Sequence, residues 1–513
     1  MAFPFFFHQM QRSTTKKLIL GSGLRLVALV VTVLIGLVLT PYVIHSLGEE
    51  LYGIWTLASS FVGMFSLLDI GLNAAVGRYA AASITKKDYA GLNRYLNTGH
   101  YIFNGISCIA LLIAGGAALY LFRNQAAMPH ASATACVILI MGANFAIILP
   151  LQAISGLLIG ALRYDISTAI GISFKIISST VTFLTLYFGG GIVALAITSF
   201  ICSMVSRSVT IWFARREVPQ AEIAFRHFDK KTIKELCSYG IFAFIASVSE
   251  MFRFQVPAFI VGGFISLAVV THYTIATSLT TYFMMVIRAT LGILMPVFAG
   301  QQANDDFPAI RKTLRFANKV STVIAIFVGF GMIAWGHYFI ERWVGKQFLD
   351  IAYPCLVILV AGYMTALCQT PAVGMLFGLA KHSFYAVINT LEAVFNFVLG
   401  LILVQYFGCL GVAVAAMIAI VLLKLIAQPL FVCHVVKESI FSYYWNILRT
   451  SFICAAALVL PSAATWYLVA PNYPALFLTG IVSSLLYLPV VFAVFTRNER
   501  EYVWNALWKK KND

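Results

Sequence analysis

Fourteen segments of near-continuous apolar sequence run through the chain, at 18-43, 52-76, 98-122, 133-157, 167-188, 192-213, 238-264, 272-298, 318-340, 352-378, 385-406, 411-435, 450-469 and 475-496. Each is long enough to cross the roughly 30 Å hydrocarbon layer of a bilayer as a helix. Strands of a membrane barrel run about ten residues and alternate in polarity, which these segments do not. The expected fold is therefore all-α, a polytopic membrane protein of about 14 transmembrane helices. Composition agrees: 61% of the 513 residues are apolar and 11% charged, where a soluble chain has about a quarter of its residues charged.

Basic residues set the orientation, because cytoplasmic loops retain Lys and Arg. With the N-terminus inside, cytoplasmic segments, counting Lys319 at the inner edge of 318-340, carry 26 of the 35 Lys and Arg, the outer loops carry three (Arg123, Arg342, Lys346), and six lie deeper within spans. The 19 acids divide as 12, 4 and 3, so the net +16 becomes +14 inside, −1 outside and +3 in the membrane. This is a multi-pass pattern with both termini cytoplasmic and an attraction to anionic membrane lipids. No loop interleaves a basic stripe with aromatics, which argues against a nucleic-acid partner. The first span is too long for a signal peptide and lacks a small-residue cleavage site. Residues 2-7, AFPFFF, read as an interfacial anchor or a disordered start. The nine Cys show no CxxC spacing and read as packing residues, with no metal, cofactor or disulfide framework.

The longest stretch outside the membrane is 214-237, RREVPQAEIAFRHFDKKTIKELCS, too short to fold as a catalytic domain. There is no GxxxxGK[ST] for a nucleotide. Outer loops of about ten residues offer only Glu49, Glu50, Glu341 and Asp350 for acid/base work. These absences argue against an enzyme.

The chain also repeats itself. GLLIGALR from Gly156 to Arg163 aligns with GMLFGLAK from Gly374 to Lys381 at an offset of 218, and YFGGGIVALA from Tyr187 aligns with YFGCLGVAVA from Tyr406 at 219. Six spans per repeat is an even number, so both halves enter the membrane in the same direction and are related by an axis along its normal. The resulting plan is a cytoplasmic tail 1-17, a six-helix lobe 18-213, a linker 214-237, a second pseudo-symmetric six-helix lobe 238-435, two extra helices within 450-496, and a cytoplasmic tail 497-513.

An ionisable side chain deep in a span costs several kcal/mol unless it meets water or a partner. Nine qualify: Arg25, Asp69, Lys175, Arg207, Glu250, Arg253, Arg288, Glu392 and Lys424. Arg25 and Arg207 lie near enough to the inner ends of their spans to snorkel to headgroups. Glu250 and Arg253 stand three apart on one helix face and could neutralise each other. Arg288 and Lys424 have no acid one turn away on their own span. Under the repeat offset Lys175 is near Glu392, and Asp69 is matched to Arg288. Charge at matched depths suggests a shared water-filled cavity, net positive, for an anionic cargo.

The segment LGEELYGIWTLASSFVGMFSLLDIGLNAAVGRYAAA, Leu47 to Ala82, resembles the polysaccharide-unit (lipid-linked oligosaccharide or O-antigen) flippases of the multidrug/oligosaccharidyl-lipid/polysaccharide exporter superfamily. Gly48, Tyr52, Gly53, Trp55, Leu68, Asp69, Gly71, Leu72, Arg78 and Tyr79 carry the pattern. The resemblance implies movement of a polyprenyl-pyrophosphate-linked oligosaccharide from inner to outer leaflet of the cytoplasmic membrane by alternating access. Arg25, Lys175, Arg253, Arg288 and Lys424 would then hold the pyrophosphate, because a guanidinium grips phosphate bidentately. Asp69, Glu250 and Glu392 are the candidates for H+ or Na+ coupling. A polysaccharide polymerase and a chain-length regulator would be functional partners. Another lipid-linked cell-wall precursor is an alternative cargo. Drug exporters of the superfamily often carry an acid in the first span, where this chain has Arg25, which argues against a cation-coupled drug antiporter.

Overall fold

The computed structural model describes residues 3–69, 71–125, 130–291, 294–468, 473–497 and 499–501. Among the described residues eighteen α-helices follow one another: α1 (Phe3–Leu47), α2 (Glu49–Met64), α3 (Leu72–Lys86), α4 (Tyr89–Arg123), α5 (Ala131–Gly160), α6 (Tyr164–Tyr187), α7 (Ile192–Glu217), α8 (Lys230–Phe254), α9 (Val256–Phe264), α10 (Leu267–Leu291), α11 (Leu294–Ala303), α12 (Phe307–Trp343), α13 (Leu349–Leu367), α14 (Thr370–Gly378), α15 (His382–Ile420), α16 (Gln428–Val436), α17 (Ile440–Leu468) and α18 (Tyr473–Val494). A π-helical stretch, Val421–Ala427, joins α15 to α16. No strand occurs among the described residues, so the chain is an all-helical, multi-pass membrane protein.

Among the described residues the apolar segments of the sequence fall largely on helix, but the correspondence is not one to one. Among the described residues ten helical stretches are long and apolar enough to cross a membrane, or eleven when the pair Leu267–Ala289 and Leu294–Ala303, bent by 42°, counts as one. The stretch Ser383–Val436 carries two sequence spans, which part at Gly408 with φ +57°. The segment at 238-264 and the described part of 450-469, up to Leu468, are carried by helices yet fall outside that set. Residues 1–2 and the side chains of the AFPFFF segment lie outside the described residues.

Several spans break inside the bilayer, and proline chemistry explains three of the breaks. Pro257, Pro371 and Pro429 lack the N–H that would bond the carbonyl four residues back. In lipid such a carbonyl needs another donor. Leu367 O, orphaned by Pro371, accepts from the Ser321 hydroxyl at 2.6 Å and from the Thr370 hydroxyl at 3.0 Å. Leu425 O, orphaned by Pro429, accepts from the Tyr444 hydroxyl.

By packing, the chain forms two units: 1–262 with 266–271, and 263–265 with 272–513. The repeat places its boundary in the linker 214-237, whereas the packing boundary lies one span later. The cause is the linker itself. Asn93 on α4 donates to Gln220 O at 3.1 Å and accepts from Glu222 N at 3.0 Å. Asn97, fully buried one turn on, donates to Glu222 O at 2.6 Å and accepts from Ala224 N at 2.8 Å. Two side-chain amides thus pair with the linker as a neighbouring strand would, and α8 emerges against α3 and α4.

The duplication is visible within each unit as the same local structure. After α5, Leu162 takes φ +56° and the bonds run Ala161 N to Leu157 O, Leu162 N to Ile159 O and Arg163 N to Leu158 O. After α14, Ala380 takes φ +55° and the bonds run Leu379 N to Met375 O, Ala380 N to Phe377 O and Lys381 N to Leu376 O. A Cβ on Gly160 would meet Ala81 N at 3.3 Å, and one on Gly378 would meet Ala299 N at 3.1 Å. Two helix crossings, α3 on α5 and α11 on α14, are therefore copies. The turns that follow α3 and α11 also match: Lys87 and Asp305 have φ +57° and +51°, and the N-caps Asp88 and Asp306 accept from Gly91 N and Ala309 N.

Candidate functional site

In the second unit, the π-helical stretch is where the intramembrane charges meet. Gln428 N bonds Leu423 O, five residues back, so the Lys424 carbonyl loses its α-helical donor. Pro429 cannot supply the π-helical one. Gln369, buried at the α13–α14 break, donates its Nε2 to that carbonyl at 3.3 Å and accepts from the Tyr443 hydroxyl at 3.2 Å. The extra residue of the π turn directs Lys424 at α15, whose Tyr385, Asn389 and Glu392 share one face.

The Lys424 ammonium lies 2.5 Å from Asn389 Oδ1, 3.5 Å from Glu392 Oε2 and 4.3 Å from the centre of the Tyr385 ring. Lys424 is 6% exposed and Glu392 3%. The sequence reading gave Lys424 no acid on its own span. The structure supplies one from the neighbouring span, so while the pair stands Lys424 adds no net positive charge. Asn389, Tyr385, Gln369 and Tyr443 were not singled out in the sequence. The available signals were Asn389 three residues before Glu392, and the prolines Pro371 and Pro429.

The other candidates are not gathered into this cluster. Arg288 is exposed in the last turn of α10 and, among the described residues, makes no hydrogen bond or ion pair. In the first unit, Lys175 is exposed on α6 and Glu250 is exposed on α8. Arg253 is half-buried, its guanidinium 5.9 Å from the Phe254 ring centre. Asp69 ends the short 3-10 turn after α2, where its Oδ1 accepts from Asn73 N at 2.9 Å and so holds the start of α3 beside Gly71, at φ +70°. Arg207 donates to the Ser155 hydroxyl at 3.0 Å. The Arg25 side chain lies outside the described residues. Among the described residues no group of three or more His, Cys, Asp or Glu is placed to hold a metal.

Outside the spans, the linker is tied down by charge as well as by amides. Arg226 bonds Glu222 at 2.6 Å, and His227 stands 3.6 Å from the same carboxylate. The Arg226 hydrogen bond, helped by His227, holds the Glu222 carboxyl below its ordinary pKa. Asp229 is lowered likewise, first by the Thr232 hydroxyl and then by the Lys231 amide.

A family model described as polysaccharide biosynthesis protein matches residues 47–353. EpsK of Bacillus subtilis, named an uncharacterized membrane protein, is 20% identical over 504 residues, covering 96% of this chain and 99% of its own. A protein of Haloferax volcanii named "Probable flippase AglR" is 22% identical, covering 80% of this chain and 83% of its own. The solved structure "Lipid II flippase MurJ, inward closed conformation" shares the fold, with a TM-score of 0.69 at 16% identity over 94% of this chain and 100% of that one.

Proposed function

This chain belongs to the polysaccharide biosynthesis protein family, and from that premise we propose that it is a flippase for a polyprenyl-pyrophosphate-linked oligosaccharide unit. It works by alternating access, carrying its cargo from the inner to the outer leaflet of the cytoplasmic membrane with both termini on the cytoplasmic side. The observation that carries this reading is the duplicated crossing, Gly160 on Ala81 and Gly378 on Ala299. Duplicated bundles are the architecture on which two units can exchange access to one cargo. The flippase name of the Haloferax volcanii relative supports the same class.

Arg25, Lys175, Arg253 and Arg288 provide the cationic surface for the pyrophosphate in this proposal. Lys424 belongs to the Glu392 pair and serves to fix α15 against the π turn. Of the three acids considered for coupling, Asp69 caps α3 and Glu392 faces Lys424. Glu250, exposed on α8, is then the acid left to exchange H+ or Na+. A polymerase and a chain-length regulator acting on the delivered unit are the functional partners.

Deletion of the gene, followed by mass analysis of lipid extracts, tests the reading: lipid-linked oligosaccharide intermediates should accumulate and clear on complementation. A guanidinium presents a planar fork that an ammonium lacks, so Arg253→Lys and Arg288→Lys at normal membrane abundance should complement poorly. Unchanged lipid pools on deletion would overturn the flippase reading. Full complementation by both variants would overturn only the pyrophosphate assignment.

A further inference from the structure

At the start of α12, the second unit holds a cavity of about 590 Å³ walled by α12, α17 and the end of α18. Five cations line it, Arg311, Lys312, Arg315, Lys319 and Arg449, against one lining acid, Glu499. Three of the five are held in place. Arg311 donates to Val436 O at 2.9 Å, Arg315 to Glu438 at 2.6 Å, and Lys319 lies 3.0 Å from Glu499. Lys312 and Arg449 are exposed and make no hydrogen bond or ion pair among the described residues. Even with Glu438 counted, the cleft keeps a net charge of +3, concentrated where two cations have nothing to bind.

The wall of this cleft continues into an apolar face. Phe441, Trp445, Leu448 and Phe452 are all exposed on α17, at spacings that put them on one side of the helix. Trp445 belongs to both features: it lines the cavity, and its ring stacks on Phe441 at 6.1 Å. Tryptophan at a charged-to-apolar boundary marks the headgroup level of a bilayer. A soluble anion would use the cations and leave the stripe idle. A phospholipid would use both.

We propose that this cleft is a binding site for an anionic membrane phospholipid, with its phosphate between Lys312 and Arg449 and an acyl chain along Phe441, Trp445, Leu448 and Phe452. None of the intramembrane charges given to the cargo lines this cleft, so the site stands whatever the flippase carries. Its occupant is a resident lipid that seats α17 and α18, the helices outside the repeat, on α12.

The purified full-length protein in neutral detergent is titrated with phosphatidylglycerol, phosphatidylcholine or inorganic phosphate, and bound lipid is read by native mass spectrometry. The wild type should retain phosphatidylglycerol in preference to phosphatidylcholine. Lys312→Gln/Arg449→Gln should bind phosphatidylglycerol about thirtyfold more weakly, at about 1 kcal/mol per basic residue near the headgroups. If the double variant folds poorly, Lys312→Gln alone should show about a fivefold loss. Equal retention by variant and wild type, or no preference between the two lipids, overturns the site. Displacement of phosphatidylglycerol by millimolar inorganic phosphate would make it a soluble-anion site and overturn the lipid assignment.

Discussion

The first unit has Gly171 and Phe174 where the offset of 218 puts Asn389 and Glu392 in the second, and Val205 where the offset of 219 puts Lys424. The turn just before these positions is the same in the two copies down to individual bonds, but the π stretch of the second unit has no counterpart in α7 of the first, and the buried chemistry differs. In the first unit Arg207, two residues after the position matched to Lys424, donates to a serine on α5. In the second, a lysine and a glutamate are buried together and braced by Gln369, Asn389 and two tyrosines. The contrast separates two kinds of constraint. Close crossings are constrained by sterics, because a Cβ opposite Ala81 or Ala299 would meet its backbone nitrogen at 3.3 or 3.1 Å. Charges at the same depth need only local neutralisation, so each copy has found its own solution.

The sharpest way to break this contrast is to remove one member of the buried pair. Glu392→Gln leaves an ammonium in a low-dielectric site and should cost about 3–5 kcal/mol. Glu392→Met/Lys424→Met should recover most of that, since apolar replacement of both partners is often neutral. Lys175→Met, at an exposed position of the first unit, should change stability by less than about 0.5 kcal/mol. Denaturant unfolding in micelles, followed by tryptophan fluorescence, would measure all three. A cheap Glu392→Gln would mean that Lys424 reaches water and that the second unit's cluster is no more closed than the first's.

Smaller effects come from the feature the units share. Gly160→Leu and Gly378→Leu should each destabilise by about 1–3 kcal/mol through overpacking. Gly378→Leu should be the worse, because a Cβ there also lies 2.9 Å from Phe298 Cβ and 3.0 Å from Met295 O. The same unfolding assay ranks them, and a neutral Gly378→Leu would mean that α11 and α14 can part without loss.

The linker of the first unit gives the smallest effect, one that depends on pH. Glu222 and Asp229 have their carboxyl pKa values held below the ordinary range. The stability they lend is present above the ordinary carboxylate pKa and is lost as pH falls through their lowered folded values. Hydrogen exchange of 220–232 should be slow at pH 5 to 7 relative to its intrinsic rate, and should lose protection below about pH 4. Asn97→Ala should expose the same segment at neutral pH, since it removes both bonds to the linker backbone. Unaltered exchange in Asn97→Ala would show that the linker is held without these two bonds.

Much of this was legible in the sequence because it depends on period and repetition. Apolar runs located the helices, and the paired GLLIGALR and GMLFGLAK segments marked two turns that later proved identical in their bonds. The Lys424–Glu392 pair was not legible, since it joins residues 32 apart through a π turn whose cause, Pro429 beside a displaced bond, is a matter of three-dimensional register. The docking of the linker was hidden for a different reason. Asn93 and Asn97 look like ordinary polar residues at a helix start, and only a partner strand of backbone gives their spacing meaning. The helix breaks were half visible: the prolines were there to be read, but the hydroxyls of Ser321 and Tyr444 that make them tolerable come from distant helices.

Leaflet accessibility measures directly whether this protein moves a lipid-linked oligosaccharide across the bilayer. Vesicles reconstituted with the purified chain are loaded with a polyprenyl-pyrophosphate-linked oligosaccharide in both leaflets, and a sugar-modifying reagent that cannot cross the bilayer is added outside. Protein-containing vesicles should expose nearly all of the lipid to the reagent, whereas protein-free vesicles expose about half, and Arg253→Lys should slow the second half. Equal exposure with and without the protein, across H+ and Na+ gradients of both directions, would contradict the account.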